Sequence, residues 1–388
     1  MKRKYINLYL LFIIFILFSC STTDPVIPEL SFEYSIDTLY CENGLSLNAN
    51  SSGIKSFDIT TINDSVFVYI KSSKSDTLYK YYYGIGFKVV DKIPLAEEYS
   101  NKSNLVFPVL SKFSKLGKIK SIKVINQDSI IIMQENCVSI FNMSSRKIDF
   151  KFICNDLDTT YWYLVNNYNP VKYSFSDKKF YTELIRYDIP ANSEGVIETE
   201  LNACIDIKTS EISALPYKIP SDVIVKDRNL SEHFAVTEKK VICGFSTSPK
   251  VYVYSIKNKK VKTEKLKSPN QDKYIYNDKN TKGDFDRARS NYLNSFLYSS
   301  IVYDNSNQKL IRTYFMPIKE RNEEGFMPSS YKPFGCIIYD NEFNPLGEIV
   351  LNLDIYPNMW FATNGKIYAL LLSGYPEYLK ILKIEYEL

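Results

Sequence analysis

His233-Phe234-Ala235-Val236, Thr237-Glu238-Lys239-Lys240 and Val241-Ile242-Cys243-Gly244-Phe245 follow one another without a break. They read as a strand, a tight polar turn and a second strand. β-branched and aromatic residues favour the pleated conformation, and short polar residues favour the turn. A second hairpin comes next. Val251–Ile256 runs through Lys257–Lys260 into Val261-Lys262-Thr263. The unit is therefore four strands. Its second strand is an apolar run rather than an alternation, which is expected of a strand covered on both faces.

The unit recurs along the chain. Ser56–Ile62 turns through Asn63-Asp64-Ser65 into Val66–Ile70. Ile122–Ile125 turns through Asn126–Ser129 into Ile130–Met133, with Cys137–Phe141 and Lys147–Ile153 as its second hairpin. Lys172–Phe175 turns through Ser176–Lys179 into Phe180–Ile185. After the quoted copy come Ser300–Tyr303 with Leu310–Phe315, then Cys336–Tyr339 with Leu346–Leu351, and last Trp360–Ala362 with Ile367–Leu372. The second strands start roughly 50–70 residues apart, a spacing typical of repeat architectures. Six four-stranded units predict an all-β chain folded as a six-bladed β-propeller; a β-sandwich or a pair of β domains is the alternative. The last unit has three strands, ending with Tyr378–Tyr386. Leu30–Cys41 is expected to supply its fourth and so close the ring, which leaves no open sheet edge.

Between the units, residues 97–118, 155–170, 269–295 and 319–333 read as loops, with a short helix around Asp284–Tyr292. Tyr161-Trp162-Tyr163 follows Asp156 and Asp158 in one of them. Exposed aromatics beside carboxylates suit a sugar-stacking or protein-binding surface, and these three are the candidate binding residues. An aromatic plug beneath the loop is the plainer reading. Lys257, Lys259, Lys260, Lys262, Lys265 and Lys267 form a basic run. It could meet anionic lipid or a glycan, but lysines on an outer strand also protect a sheet edge.

The single histidine, His233, rules out a multi-histidine metal site. It opens an inner strand and could face a central channel. No catalytic residue, metal set or cofactor motif is assigned from the sequence. A net charge of +4 over 388 residues argues against nucleic acid. Cys137, Cys204 and Cys336 occupy similar strand contexts in different units, too far apart to be bridged. With Cys41, Cys154 and Cys243 they are expected as free thiols.

The N-terminus places the protein. Lys2-Arg3-Lys4 precedes an apolar stretch, Tyr5–Phe18, and then Ser19-Cys20. That stretch is short of the roughly 20 residues a spanning helix needs, and the order is that of a cleaved signal with a lipoprotein processing site. Residues 1–19 are read as the signal peptide, Cys20 as the lipidated residue, 20–29 as a tether and 30–388 as one propeller domain.

Cys20 and the strand–turn–strand units together resemble lipoproteins of Bacteroidetes. These are grouped with TolB-like or NHL-like six-bladed propellers, several of them known only as domains of unknown function. The resemblance implies an envelope protein held on a membrane, presumptively the outer one, by lipid on Cys20. An acidic cluster after that cysteine accompanies surface display in such bacteria. Here Asp24 is the nearest acidic residue, so the periplasmic and surface faces both stay open. The function expected is a monomeric, non-enzymatic scaffold that binds a protein or a glycan. The alternative is a propeller hydrolase or lyase using carboxylates and tyrosines at the channel mouth.

Overall fold

The computed structural model describes residues 27–40, 54–95, 119, 121–153, 162–164, 172–186, 202–218, 232–268, 293–318, 332–371 and 378–388, with short gaps at some turns. Its strands form six sheets. β1 is Phe32–Tyr40. The first blade holds β2 (Ile54–Ile62), β3 (Ser65–Ser72), β4 (Thr77–Gly84) and β5 (Gly86–Pro94). The second holds β6 (Ser121–Val124), β7 (Ser129–Met133), β8 (Cys137–Asn142) and β9 (Lys147–Ile153). In the third, β10 (Trp162–Leu164) and β11 (Lys172–Ser174) both pair with β12 (Lys179–Arg186), followed by β13 (Asn202–Asp206) and β14 (Ile212–Ala214). The fourth holds β15 (Glu232–Val236), β16 (Lys240–Phe245), β17 (Ser248–Ser255) and β18 (Val261–Lys265). The fifth holds β19 (Leu297–Asp304), β20 (Lys309–Phe315), β21 (Phe334–Tyr339) and β22 (Pro345–Leu351). The sixth combines β23 (Ile355–Thr363), β24 (Lys366–Leu371) and β25 (Tyr378–Tyr386) with β1, in the order β1-β25-β24-β23.

The architecture is thus a six-bladed propeller closed by the N-terminal strand. β1 pairs antiparallel with β25 from Phe32↔Tyr386 to Tyr40↔Tyr378. Tyr83 of the first blade donates a hydrogen bond to Asp37 of β1, which ties the closing strand across the last junction.

The core is divided among six clusters, each shared by two adjacent blades. In β7, Ile130 and Ile132 pack toward the first blade while Ile131 and Met133 pack toward the third. That is why the second strands read as apolar runs: both faces are buried. The final cluster joins Val68 and Ile70 to Tyr368, Leu370 and Ile381, across the sixth and first blades. Between the fourth and fifth blades, Arg312 is fully buried. Its guanidinium donates to the carbonyls of Phe245, Ser248, Pro249 and Leu266 at 2.7–3.2 Å. It also lies 3.4 Å from the centre of the Tyr298 ring, a cation–π contact.

Antiparallel strands put successive connections on alternate faces. The first-to-second and third-to-fourth connections are all short; the longest are 207–211, 256–260 and 340–344. The other connections, among them 95–120, 154–161, 187–201, 215–231, 266–296 and 316–333, begin and end at the opposite face. The two faces are therefore called the tight-turn face and the long-connection face.

The tight turns follow a repeated device at the end of the third strand. Asn142 and Asp206 each accept a backbone N–H from two or three residues on, as do the Ser255 hydroxyl and Asp340. The left-handed positions differ from the expectation of Asn, Asp, Ser and Gly. Asn63, Asn364 and Gly365 fit it, but Arg146, Lys178, Lys259, Gln308 and Phe343 also have φ between 53° and 69°. The side-chain bonds hold these turns whichever residue takes the strained place.

Residues 155–170 are not all loop, because Trp162–Leu164 forms β10. The helix expected at 284–292 lies outside the described residues. Cys137, Cys204, Cys243 and Cys336 are free and buried, although Cys204 and Cys243 share one inter-blade cluster. Cys41 and Cys154 lie outside the described residues.

Candidate functional site

The first strands of the blades meet around the axis: β2 contacts β6 and β23, β15 contacts β11 and β19, and β19 contacts β23. They form the wall of the channel, and charged side chains on them are the natural candidates for a site. Three converge. Asp58 of β2 is fully buried. One of its oxygens accepts from Lys123 Nζ at 2.8 Å, and the other accepts the backbone N–H of Val124 at 2.7 Å. The Lys123 side chain keeps 32% of its surface, and its ammonium lies 5.7 Å from the Phe361 ring centre, on β23 of the sixth blade. Lys172 of β11 adds a second cation. Burial, and then the charge of Lys123, pull its pKa from 10.5 down to about 8, with Asp58 acting in the opposite sense. Lys172 is enclosed by the ring yet retains partial solvent contact. Among the described residues its ammonium has no hydrogen-bond or ion-pair partner. Among the described residues this cluster carries two cations against one carboxylate.

The local sequence explains the placement. In β6, Ile122 and Val124 turn into the core shared with the first blade, so Lys123 between them must point the other way. In β11, Tyr173 packs into the core between the second and third blades, and Lys172 alternates with it. Neither lysine was singled out from the sequence. For Lys123 the available signal was a charge between two apolar residues, Ile122 and Val124; Lys172, which opens the short strand β11, carried none.

The predicted candidates are distributed differently. Trp162 and Tyr163 pair through their backbones with Arg186 and Ile185 on β12, on the same edge that β11 occupies. β10 thus continues the inner edge of the third blade toward the long-connection face, at the mouth of the channel. Tyr161 and Cys20 lie outside the described residues. His233 is not on the channel wall: it is 2% exposed, with Nε2 3.1 Å from Ser246 Oγ. Burial, then the charge of Arg312, hold its pKa down at about 3, so its ring stays neutral. Lys257, Lys259 and Lys260 are exposed in a tight turn, while Lys262 pairs with Glu264 at 2.6 Å.

One cavity, of about 260 Å³, opens on the tight-turn face between the fourth and fifth blades. Four of its lining residues already satisfy one another. Lys240 Nζ donates to Asn341 O at 3.0 Å, Tyr303 to Asn341 Oδ1 at 3.0 Å, and Asn341 Nδ2 to Gln308 Oε1 at 2.7 Å. A ligand there would have to break bonds to make bonds. Among the described residues no group of three or more His, Cys, Asp or Glu side chains is arranged to hold a metal.

Comparison with known proteins agrees with the architecture. The model of a domain of unknown function, DUF4221, matches residues 115–350. A crystal structure of a DUF4221 member from Bacteroides vulgatus superimposes with a TM-score of 0.64 at 16% identity, covering 92% of this chain and 99% of that one. A Bacteroides fragilis protein described as a candidate exported protein superimposes with a TM-score of 0.51 at 11% identity, covering 93% and 99%. No curated protein matches the sequence.

Proposed function

We propose, from the premise that the chain belongs to the DUF4221 family, that it is an exported binding propeller, anchored by lipid on Cys20. In this reading the channel receives an acidic group of a protein or glycan ligand from the long-connection face. One observation carries it: Lys172, an enclosed cation with no hydrogen-bond or ion-pair partner among the described residues, beside an ion pair that is already satisfied. An enclosed, unpaired charge opposes folding, and an apolar residue would fit a propeller core better. Such a group is retained at a stability cost where a ligand completes it. The cluster supports binding, because the carboxylate of Asp58 is already committed to Lys123 and to the Val124 N–H.

The test is calorimetric titration of the mature protein with uronate oligosaccharides, with acidic peptides and with uncharged counterparts of each. Binding of one acidic class, lost in Lys172→Met, is the expected result. Equal binding of charged and uncharged members would refute the reading. So would turnover that disappears with a single carboxylate substitution.

A further inference from the structure

Neither the basic run nor the path of the N-terminal segment takes part in the channel. Ahead of β1, Glu29 bridges Glu348 of β22 in parallel fashion. Glu348 N donates to Pro28 O at 2.9 Å, and Leu30 N to Glu348 O at 3.0 Å. Gly347 makes room, since a Cβ there would overlap the Leu30 side chain. β22 runs from the tight-turn face, at Pro345, to the long-connection face, at Leu351. A parallel strap therefore arrives from the tight-turn side, where Ile27 packs against the core of the fourth and fifth blades. From Cys20 to Ile27 an extended chain reaches about 25 Å at most. Going back along β22 would use about 17 Å of that, so a lipid on Cys20 has most of its reach on the tight-turn side.

The basic residues lie at the same corner. Lys239 is exposed in the first turn of the fourth blade, and Lys257, Lys259 and Lys260 in its second. Ile256 N donates to Lys239 O at 2.9 Å, which joins the two turns. Lys240 and Lys262 both lie over the ring of Phe343, at 4.8 and 5.4 Å, binding this corner to the fifth blade. The acidic side chains nearby are Glu238, Glu342, Asp340, which accepts the N–H groups of its own turn, and Glu264, which is paired with Lys262.

We infer that the tight-turn face beneath the fourth and fifth blades is the membrane-facing surface of the protein, with Lys239, Lys257, Lys259 and Lys260 set against anionic phospholipid headgroups. The channel mouth at the long-connection face then points away from the bilayer, toward the ligand. The inference rests on lipidation of Cys20. Acyl chains supply the attachment; the lysines, within a Debye length of the surface, fix the orientation.

Two measurements test it. The mature chain carrying Cys20→Ala is sedimented with vesicles of phosphatidylglycerol and phosphatidylcholine, or of phosphatidylcholine alone. Binding that needs the anionic lipid, weakens with salt and falls at least tenfold in Lys257→Glu/Lys259→Glu/Lys260→Glu is expected, with melting unchanged. Undiminished binding in that variant, or none to either vesicle, overturns the surface. The lipidated protein on anionic vesicles is then labelled with an impermeant amine reagent. Lys257, Lys259 and Lys260 should be protected at least threefold relative to Lys92, exposed on β5 near the other face. Acyl mass on Cys20 with equal labelling overturns the orientation and leaves the anchor standing. An unacylated Cys20 overturns the anchor and the orientation with it.

Discussion

Replacing Lys172 with Met should make the protein more stable and less able to bind. Moving a lysine from 10.5 to about 8 corresponds to about 3 kcal/mol, at 1.36 kcal/mol per pH unit. Lys172 keeps some contact with water, so about half of that, 1–2 kcal/mol, is the cost to expect of the charge in place. The sign follows from where the proton sits. Below about pH 8 both folded and unfolded chains hold it, and the cost is present in full. Between about 8 and 10.5 the unfolded chain holds a proton that the folded chain has released, so wild-type stability rises with pH. Methionine fills the space with a flexible apolar chain and carries no proton. Urea unfolding at pH 7 should therefore show the variant about 1–2 kcal/mol more stable, and at about pH 10.5 the gap should shrink to less than half. Acidic-ligand binding should be lost at the same time. A variant no more stable than wild type at pH 7, or a gap that does not change with pH, would mean that Lys172 is well solvated or paired. The argument for an anion at the channel would then fall.

Three other outcomes follow from the structure. Deleting residues 30–41 exposes the whole edge of β25, from Tyr378 to Tyr386, and should cause aggregation or severe loss of stability; a truncated chain that melts like the mature protein would contradict ring closure by β1. Trp162→Ala/Tyr163→Ala should weaken ligand capture at least tenfold with a small change in melting, because β10 continues the inner edge of the third blade at the mouth; a large fall in melting would show that these rings plug the core. His233 is held neutral at about 3, so the unfolded chain binds a proton first as pH falls below about 6.5 and stability declines from there toward pH 3. His233→Asn should flatten that decline in acid unfolding while leaving binding at pH 7 intact, and an unaltered acid profile would refute the assignment.

The order of strands was legible because its causes are local. Val241–Phe245 and Ile130–Met133 are apolar throughout and bounded by polar turns, and that pattern, repeated, implies blades whose two faces are both covered. Ring closure was legible too, from a last unit lacking one strand. Residue-level turn chemistry was less so. Lys178 and Lys259 hold left-handed positions because neighbouring side-chain bonds and a tight loop overrule the intrinsic preference for Asn or Gly. β10 was missed because three residues carry too short a pattern to register; only the edge of β12 makes them a strand.

By itself the sequence determined the class of fold, the number of blades and the closing strand, since the repeated strand–turn–strand pattern and a last unit lacking one strand are written along the chain. Only the tertiary structure decided what the charges do. Asp58, Lys123 and Lys172 come from three different blades and meet because the ring brings their first strands to one axis. His233 left the candidate site for the same reason, as packing of the fifth blade against the fourth closed it off beside Arg312. Burial and Coulombic coupling depend on distances across blade junctions, and spacing along the chain does not contain them.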